Sequence, residues 1–126
     1  MKIFIAGGTG AIDRPLIAEL PLQEIDVADD DRVAAKQIPL AVTAGNFVYD
    51  DGATQVFEAD GATTYVEHGR ETRGRWHVDD KGGFCSFWPP SYQACYDLRW
   101  IVDGGSIVGL RFTELQGGTR FDGRYR

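Results

Sequence analysis

A regular alternation of short β-type runs and glycine turns extends from about residue 46 to residue 126 and constrains the fold most. The runs are rich in β-branched and aromatic residues, and the Asp-Gly pairs supply the positive φ that tight hairpins need. The turn signals are Asp51-Gly52, Asp60-Gly61, His68-Gly69, Lys81-Gly82-Gly83, Asp103-Gly104-Gly105 and Gly117-Gly118. The predicted strands lie near Asn46–Tyr49, Thr54–Glu58, Thr63–His68, Arg73–Val78, Phe84–Trp88, Cys95–Val102, Ser106–Thr113 and Thr119–Tyr125.

This spacing predicts a mainly β fold, an antiparallel meander of about eight strands. Closing such a meander into a small barrel removes its exposed edges, so we expect a barrel domain over residues 45–126. Residues 1–44 are then an N-terminal arm. Within the arm, "VADDDRVAAKQI" suggests a short helix with its acidic run at the N-terminal end, which would close one barrel mouth. The alternative is a linker.

Composition and charge limit the classes of partner that we expect this chain to bind. The chain has 126 residues, enough for one domain, and its formal net charge is −6. Nucleic acids and anionic membranes require a basic face, so we expect neither as a partner. Gly7, Gly8 and Gly10 interrupt the first apolar stretch, which is not the pattern of a signal peptide, so we expect a cytoplasmic protein.

The opening "MKIFIAGGTGAIDRPLIAEL" combines a strand-like run at Lys2–Ala6, a glycine loop and a possible helix at Ala11–Leu20. It resembles the N-terminus of NAD(P)-dependent epimerases and other extended short-chain dehydrogenases, whose pattern is GxxGxxG. Gly7 and Gly10 match the first two glycines, and Asp13 stands at the third. The resemblance implies a Rossmann-type dinucleotide loop. It covers only about 20 residues and lacks the family's Tyr-x-x-x-Lys, so we expect a remnant that binds no cofactor.

Residues 45–126 resemble a small calycin-like barrel of the streptavidin or lipocalin type. They also resemble small bacterial proteins of unknown function with a "GxW…C…P…C" core. Here that core is Gly74-Arg75-Trp76, Cys85, Pro89-Pro90 and Cys95. Calycins bind small ligands inside the barrel, and the resemblance implies that function for this chain.

Aromatic residues are the main candidates for ligand binding. Trp76, Trp88 and Trp100 fall on three predicted strands, and Tyr65 and Tyr96 lie nearby. Period-two alternation separates them from charged neighbours, so we expect them to point inward, with at least two tryptophans lining one cavity. The alternative is a barrel filled by its own side chains.

Cys85 and Cys95 flank one predicted hairpin, where they can face each other and form a disulfide. In a reducing cytoplasm they would instead remain two free thiols. The sequence has no CxxC pattern, so we predict no structural metal site.

Three residues are candidates for acid–base chemistry: Glu58, Glu67 and His77. A carboxylate facing into an apolar barrel would have a raised pKa and could transfer protons. Three functions remain open: a barrel that binds a small, partly apolar or aromatic molecule; a barrel isomerase or cyclase using a buried Glu or His; and a structural or interaction module. A homodimer is also possible.

Overall fold

The computed structural model describes residue 22 and residues 25–126. The N-terminal glycine loop and its proposed helix therefore lie outside the described residues. Eight strands follow a short helix α1 at Ile38–Thr43. In chain order they are β1 (Phe47–Tyr49), β2 (Thr54–Phe57), β3 (Ala62–Glu67), β4 (Arg70–Val78), β5 (Phe84–Trp88), β6 (Tyr92–Asp103), β7 (Ser106–Glu114) and β8 (Arg120–Tyr125).

Every strand pairs antiparallel with its neighbours in the chain, and β8 returns to β1 to close the barrel. Phe47 lies opposite Tyr125, and Tyr49 lies opposite Gly123 across that seam. The predicted eight-stranded antiparallel barrel is thus confirmed. An eight-stranded barrel is just wide enough either to be filled by side chains or to hold one small ligand.

The hairpin turns have the backbone conformation that the sequence predicts. His68 and Gly69 have φ of 53° and 76°, and Gly104 and Gly105 have φ of 60° and 82°. Two consecutive residues with positive φ make the turn whose twist matches that of its flanking strands. Such turns connect β3 to β4 and β6 to β7 directly, so consecutive strands become neighbours in the barrel.

Alternation along the strands divides inward from outward side chains. Phe84, Ser86 and Trp88 face inward along β5, whereas Cys85 lies between them on the outer face. Cys85 is directly opposite Cys95 on β6, with Cα atoms 4.0 Å apart, and the two form a disulfide. The two cysteines thus face each other across neighbouring strands.

Only the end of the stretch "VADDDRVAAKQI" is helical: Ala35–Gln37 form a 3-10 turn that continues into α1, whereas residues 29–33 do not form the helix predicted there. Val33 N donates to Leu98 O, and Trp100 N donates to Asp31 O, so this stretch lies antiparallel to the far half of β6. The short strand β5 pairs only with residues 92–96 and leaves that edge of β6 open. Satisfying the buried backbone groups of this edge outweighs the modest helix propensity of the stretch.

The helix begins later, at Ile38, with Pro39 at its first turn and no acidic residue there. Its side chains Ile38, Ala41 and Val42 are fully or almost fully buried. They join one core with inward residues of the strands, including Phe47 and Trp100. The predicted closure of one barrel end by this region is correct, although the helix occupies different residues. No helix among the described residues is long and apolar enough to cross a membrane.

Candidate functional site

Among the residues that the structure describes, one end of the barrel is filled and the other is open. The helix and the buried side chains of Trp76, Leu98, Trp100 and Leu110 occupy the closed end. Toward the opposite end lies a cavity of about 310 Å³. Its lining is Tyr49, Asp51, Gln55, Phe57, Tyr65, Thr72, Phe84, Ser86, Trp88, Tyr92, Tyr96, Phe112 and Phe121. The volume is at the lower end of the range typical of small-molecule sites.

Three phenylalanine rings form the floor of this cavity. Phe57, Phe84 and Phe112 are each at most 5% exposed. Their ring centroids lie 5.6 to 6.1 Å apart, with two T-shaped contacts and one stacked contact. Aromatic pairs in these geometries stabilise one another beyond the area that they bury. The floor is therefore well packed and apolar.

The walls combine larger aromatic rings. Trp88 lies over Gly74, where an added Cβ would come within 2.6 Å of the indole, so the glycine is what admits the ring. Tyr65 contacts Trp88 edge-on at 6.4 Å, and Tyr96 contacts Phe112 at 6.2 Å. A flat ligand in the cavity would meet π faces on several sides.

A chain of hydrogen bonds fixes the polar groups of the wall. The Tyr49 hydroxyl donates to Gln55 Oε1 at 2.6 Å, and Gln55 Nε2 donates to Thr63 Oγ1 at 2.9 Å. The Thr63 hydroxyl in turn donates to the carbonyl oxygen of Val56 at 2.9 Å. Gln55 and Thr63 are buried, and satisfying their polar atoms permits their inward orientation. The amide is held in one direction, as a binding site requires.

The tyrosine phenols are neutral hydrogen-bonding groups at ordinary pH. Burial is the largest cause that raises the pKa of Tyr49, and Tyr65, Tyr96 and Asp51 raise it further. Burial is likewise the largest cause of the raised pKa of Tyr65 and of Tyr96. The phenols can therefore donate and accept hydrogen bonds without adding negative charge to the cavity.

The cavity opens among the hairpins that join β1 to β2, β3 to β4, β5 to β6 and β7 to β8. Tyr92 and Phe121 are 55% and 42% exposed at this mouth. The Tyr92 hydroxyl donates to Glu114 Oε2 at 2.6 Å. Asp51, in the first of these hairpins, accepts a hydrogen bond from Ala53 N and lines the opening.

Of the five predicted ligand-binding residues, the structure brings three to the cavity: Tyr65, Trp88 and Tyr96. Trp76 and Trp100 also face inward, but they are buried in the closed half. Of the three tryptophans, Trp88 alone lines this cavity. Trp76 Nε1 donates to the carbonyl oxygen of Glu58 at 2.8 Å, whereas Trp100 Nε1 has no hydrogen-bond partner among the described residues.

The three acid–base candidates are not buried. Glu58, Glu67 and His77 are all exposed, and none of them lines the cavity. Glu58 follows the last residue of β2, and His77 lies on the outer face, opposite Cys85. None therefore has the apolar surroundings that the predicted acid–base role requires.

The disulfide has one carboxylate beside it. Asp79 Oδ2 lies 3.7 Å from Cys85 Sγ, and Asp79 Oδ1 accepts hydrogen bonds from Gly83 N and Lys81 N. These backbone hydrogen bonds, led by that of Gly83, lower the pKa of Asp79. Asp79, Cys85 and Cys95 have their potential ligand atoms within 4.8 Å of one another. The disulfide uses both sulfur atoms, which leaves no thiolate to bind a metal.

Sequence reasoning missed several residues of the lining. Gln55 lies in a short run beside Val56 and Phe57, and this pattern does not predict whether the amide side chain points into the barrel or out of it. Tyr49 and Phe112 could have been found, because each is an aromatic residue on a predicted strand.

Comparison with protein-family models, with curated proteins and with solved structures found no match to this chain.

Proposed function

We propose that this protein binds a small, partly apolar ligand in the open half of its barrel. The observation that carries the proposal is the contrast between the two halves. Trp100, Leu110 and the helix fill the closed half of the barrel. The other half is also lined mostly by aromatic residues, yet it leaves a cavity of about 310 Å³ above the phenylalanine floor. A barrel that needed only stability would gain free energy by filling this space.

The chemistry of the lining supports a ligand with one flat apolar part and one or two polar atoms. Nine of the thirteen lining residues are aromatic. Tyr49 and Gln55 present oriented polar groups above the floor. The calycin-like resemblance belongs to this proposal, since a closed antiparallel meander with one open end is the architecture in which such proteins hold ligands.

Binding rather than catalysis is the better proposal for this cavity. Asp51 is the single carboxylate in the lining, and it lies exposed at the mouth. The glutamates and the histidine suggested for an isomerase or cyclase lie outside the lining. The predicted homodimer and the cytoplasmic location stay predictions.

The test is titration of the protein with 3-tert-butylphenol, followed by calorimetry and by amide NMR shifts. We expect saturable binding with a Kd of about 0.1–1 mM, which is ordinary for a ligand with so few atoms. The shifts should centre on residues near Trp88 and Tyr96. Shifts spread over the outer face, with no saturation, would refute the proposal.

A pair of variants tests the location. Thr72 is an exposed residue of the lining, whereas Thr64 lies on the outward-facing side of β3, next to Tyr65. Thr72→Trp should block the mouth and abolish binding, and Thr64→Trp should leave it unchanged. Equal binding by the two variants would contradict the assignment of the site.

A further inference from the structure

The charged side chain in the lining of the cavity is acidic. The lining contains Asp51 and no lysine, arginine or histidine. Two further carboxylates approach the mouth. Glu114 accepts the hydrogen bond from Tyr92, and Glu67 ends β3 on the same side of the strand as Tyr65. Three of the four hairpins at this end therefore bring a carboxylate to the opening.

The basic residues at the same end of the barrel lie outside the lining, so they do not offset the negative charge of these carboxylates inside the cavity. Arg70 lies opposite Glu67 across the β3–β4 hairpin, and it is exposed outside the lining. Arg120 is exposed too, and its Nε lies 3.7 Å from Asp122, a residue absent from the lining. A ligand entering the mouth meets a negative potential at its rim.

The aromatic walls add to the same preference. Tyr49, Tyr65 and Trp88 succeed one another around the upper wall, with ring centroids 6.2 and 6.4 Å apart. The faces of such rings carry partial negative charge and attract a cation within about 6 Å. Neighbouring rings with one carboxylate at the opening form the kind of site that binds quaternary ammonium groups.

We propose that the ligand is an organic cation, with an alkylated ammonium group held among the upper aromatic rings beside Asp51 and an apolar part directed toward the phenylalanine floor. This inference rests on the proposed binding function and adds the chemical class of the ligand. An anionic ligand would be repelled by Asp51 and would find no basic partner in the lining.

The experiment compares two probes of the same shape, 3-hydroxyphenyltrimethylammonium and 3-tert-butylphenol, which differ only in a positively charged nitrogen in place of a carbon. Calorimetry at low ionic strength should show the cation binding about tenfold more tightly. Raising the salt to about 1 M should reduce this preference, because exposed charges are screened.

Asp51→Asn keeps the oxygen that accepts from Ala53 N and removes the charge. It should weaken binding of the cation about threefold and leave 3-tert-butylphenol unchanged. Asp80→Asn is the matched control, since Asp80 is exposed in the hairpin between β4 and β5 at the opposite end.

The outcomes separate the two proposals. Equal affinities for the two probes would overturn the cation assignment and leave the binding function standing. Equal losses from Asp51→Asn and Asp80→Asn would also overturn it, because the effect would then come from net charge alone. Failure of both probes to bind would remove the binding function as well.

Discussion

The disulfide between Cys85 and Cys95 should stabilise the barrel chiefly through the unfolded chain. The two residues are separated by 10 positions, so the bond closes a short loop. The loss of chain entropy for a loop of this length corresponds to about 2–3 kcal/mol of unfolding free energy. With a urea m-value of about 1–3 kcal/mol/M for a small domain, the bond should raise the urea midpoint by about 0.7–3 M.

The assay is urea unfolding of the wild-type protein with and without reductant, followed by circular dichroism, with thiols counted in each sample. The control is the variant Cys85→Ala/Cys95→Ala, whose midpoint should not respond to reductant. Both sulfurs lie on the outer face, away from Phe84 and Ser86, so reduction should not change binding of 3-tert-butylphenol.

One result would refute this reasoning. If the fully reduced wild-type protein, with two thiols counted, unfolds at the same urea concentration as the oxidised protein, the loop makes no entropic contribution. The thiol count of protein purified without reductant also bears on location. Persistent disulfides are typical of oxidising compartments and rare in the cytosol, where this sequence was expected to reside.

Two further predictions concern the cavity. Gly74→Ala would place a Cβ 2.6 Å from both a backbone oxygen and the Trp88 ring. We therefore expect it to lower the free energy of unfolding in urea by about 1–3 kcal/mol and to shift the tryptophan emission. Thr72→Ala, two residues away, should cause neither change, and an unchanged Gly74→Ala protein would contradict the packing described. Burial raises the pKa of Tyr49 and of Tyr125, and these groups ionise near pH 10 when unfolded, so their contribution is complete below pH 10 and is lost as the pH rises further. The urea midpoint should therefore be lower at pH 11 than at pH 9, and Tyr125→Phe should lessen this difference. Equal midpoints at the two pH values would show that these phenols titrate normally.

Turn chemistry made the barrel predictable. The pairs Asp51-Gly52 and His68-Gly69 locate hairpins from local preference alone, and all eight strands overlap the predicted runs. Alternation also predicts the inward direction of Trp76, Trp88 and Trp100.

The position of each side chain along the barrel axis was not predictable. Trp88 and Trp100 both point inward, yet one lines the cavity and the other is buried in the closed half. Their positions along the barrel axis depend on the register between strands and on the packing of the helix at the closed end, which are long-range features. The same limit applies to Gln55, whose inward direction is explained only once Tyr49 and Thr63 are seen on either side of it.

The pairing of residues 29–33 with β6 also sets an order of events in folding. Asp30 and Trp100 are joined by a backbone hydrogen bond, and Asp30 accepts a hydrogen bond from Arg111, 81 positions later in the chain. Contacts this distant in sequence form slowly, because a long loop must close first. The acidic segment can pair only once β6 is present, because its backbone partners are Leu98 and Trp100. The edge of β6 that β5 leaves open is thus covered late in folding, after the neighbouring strands have paired.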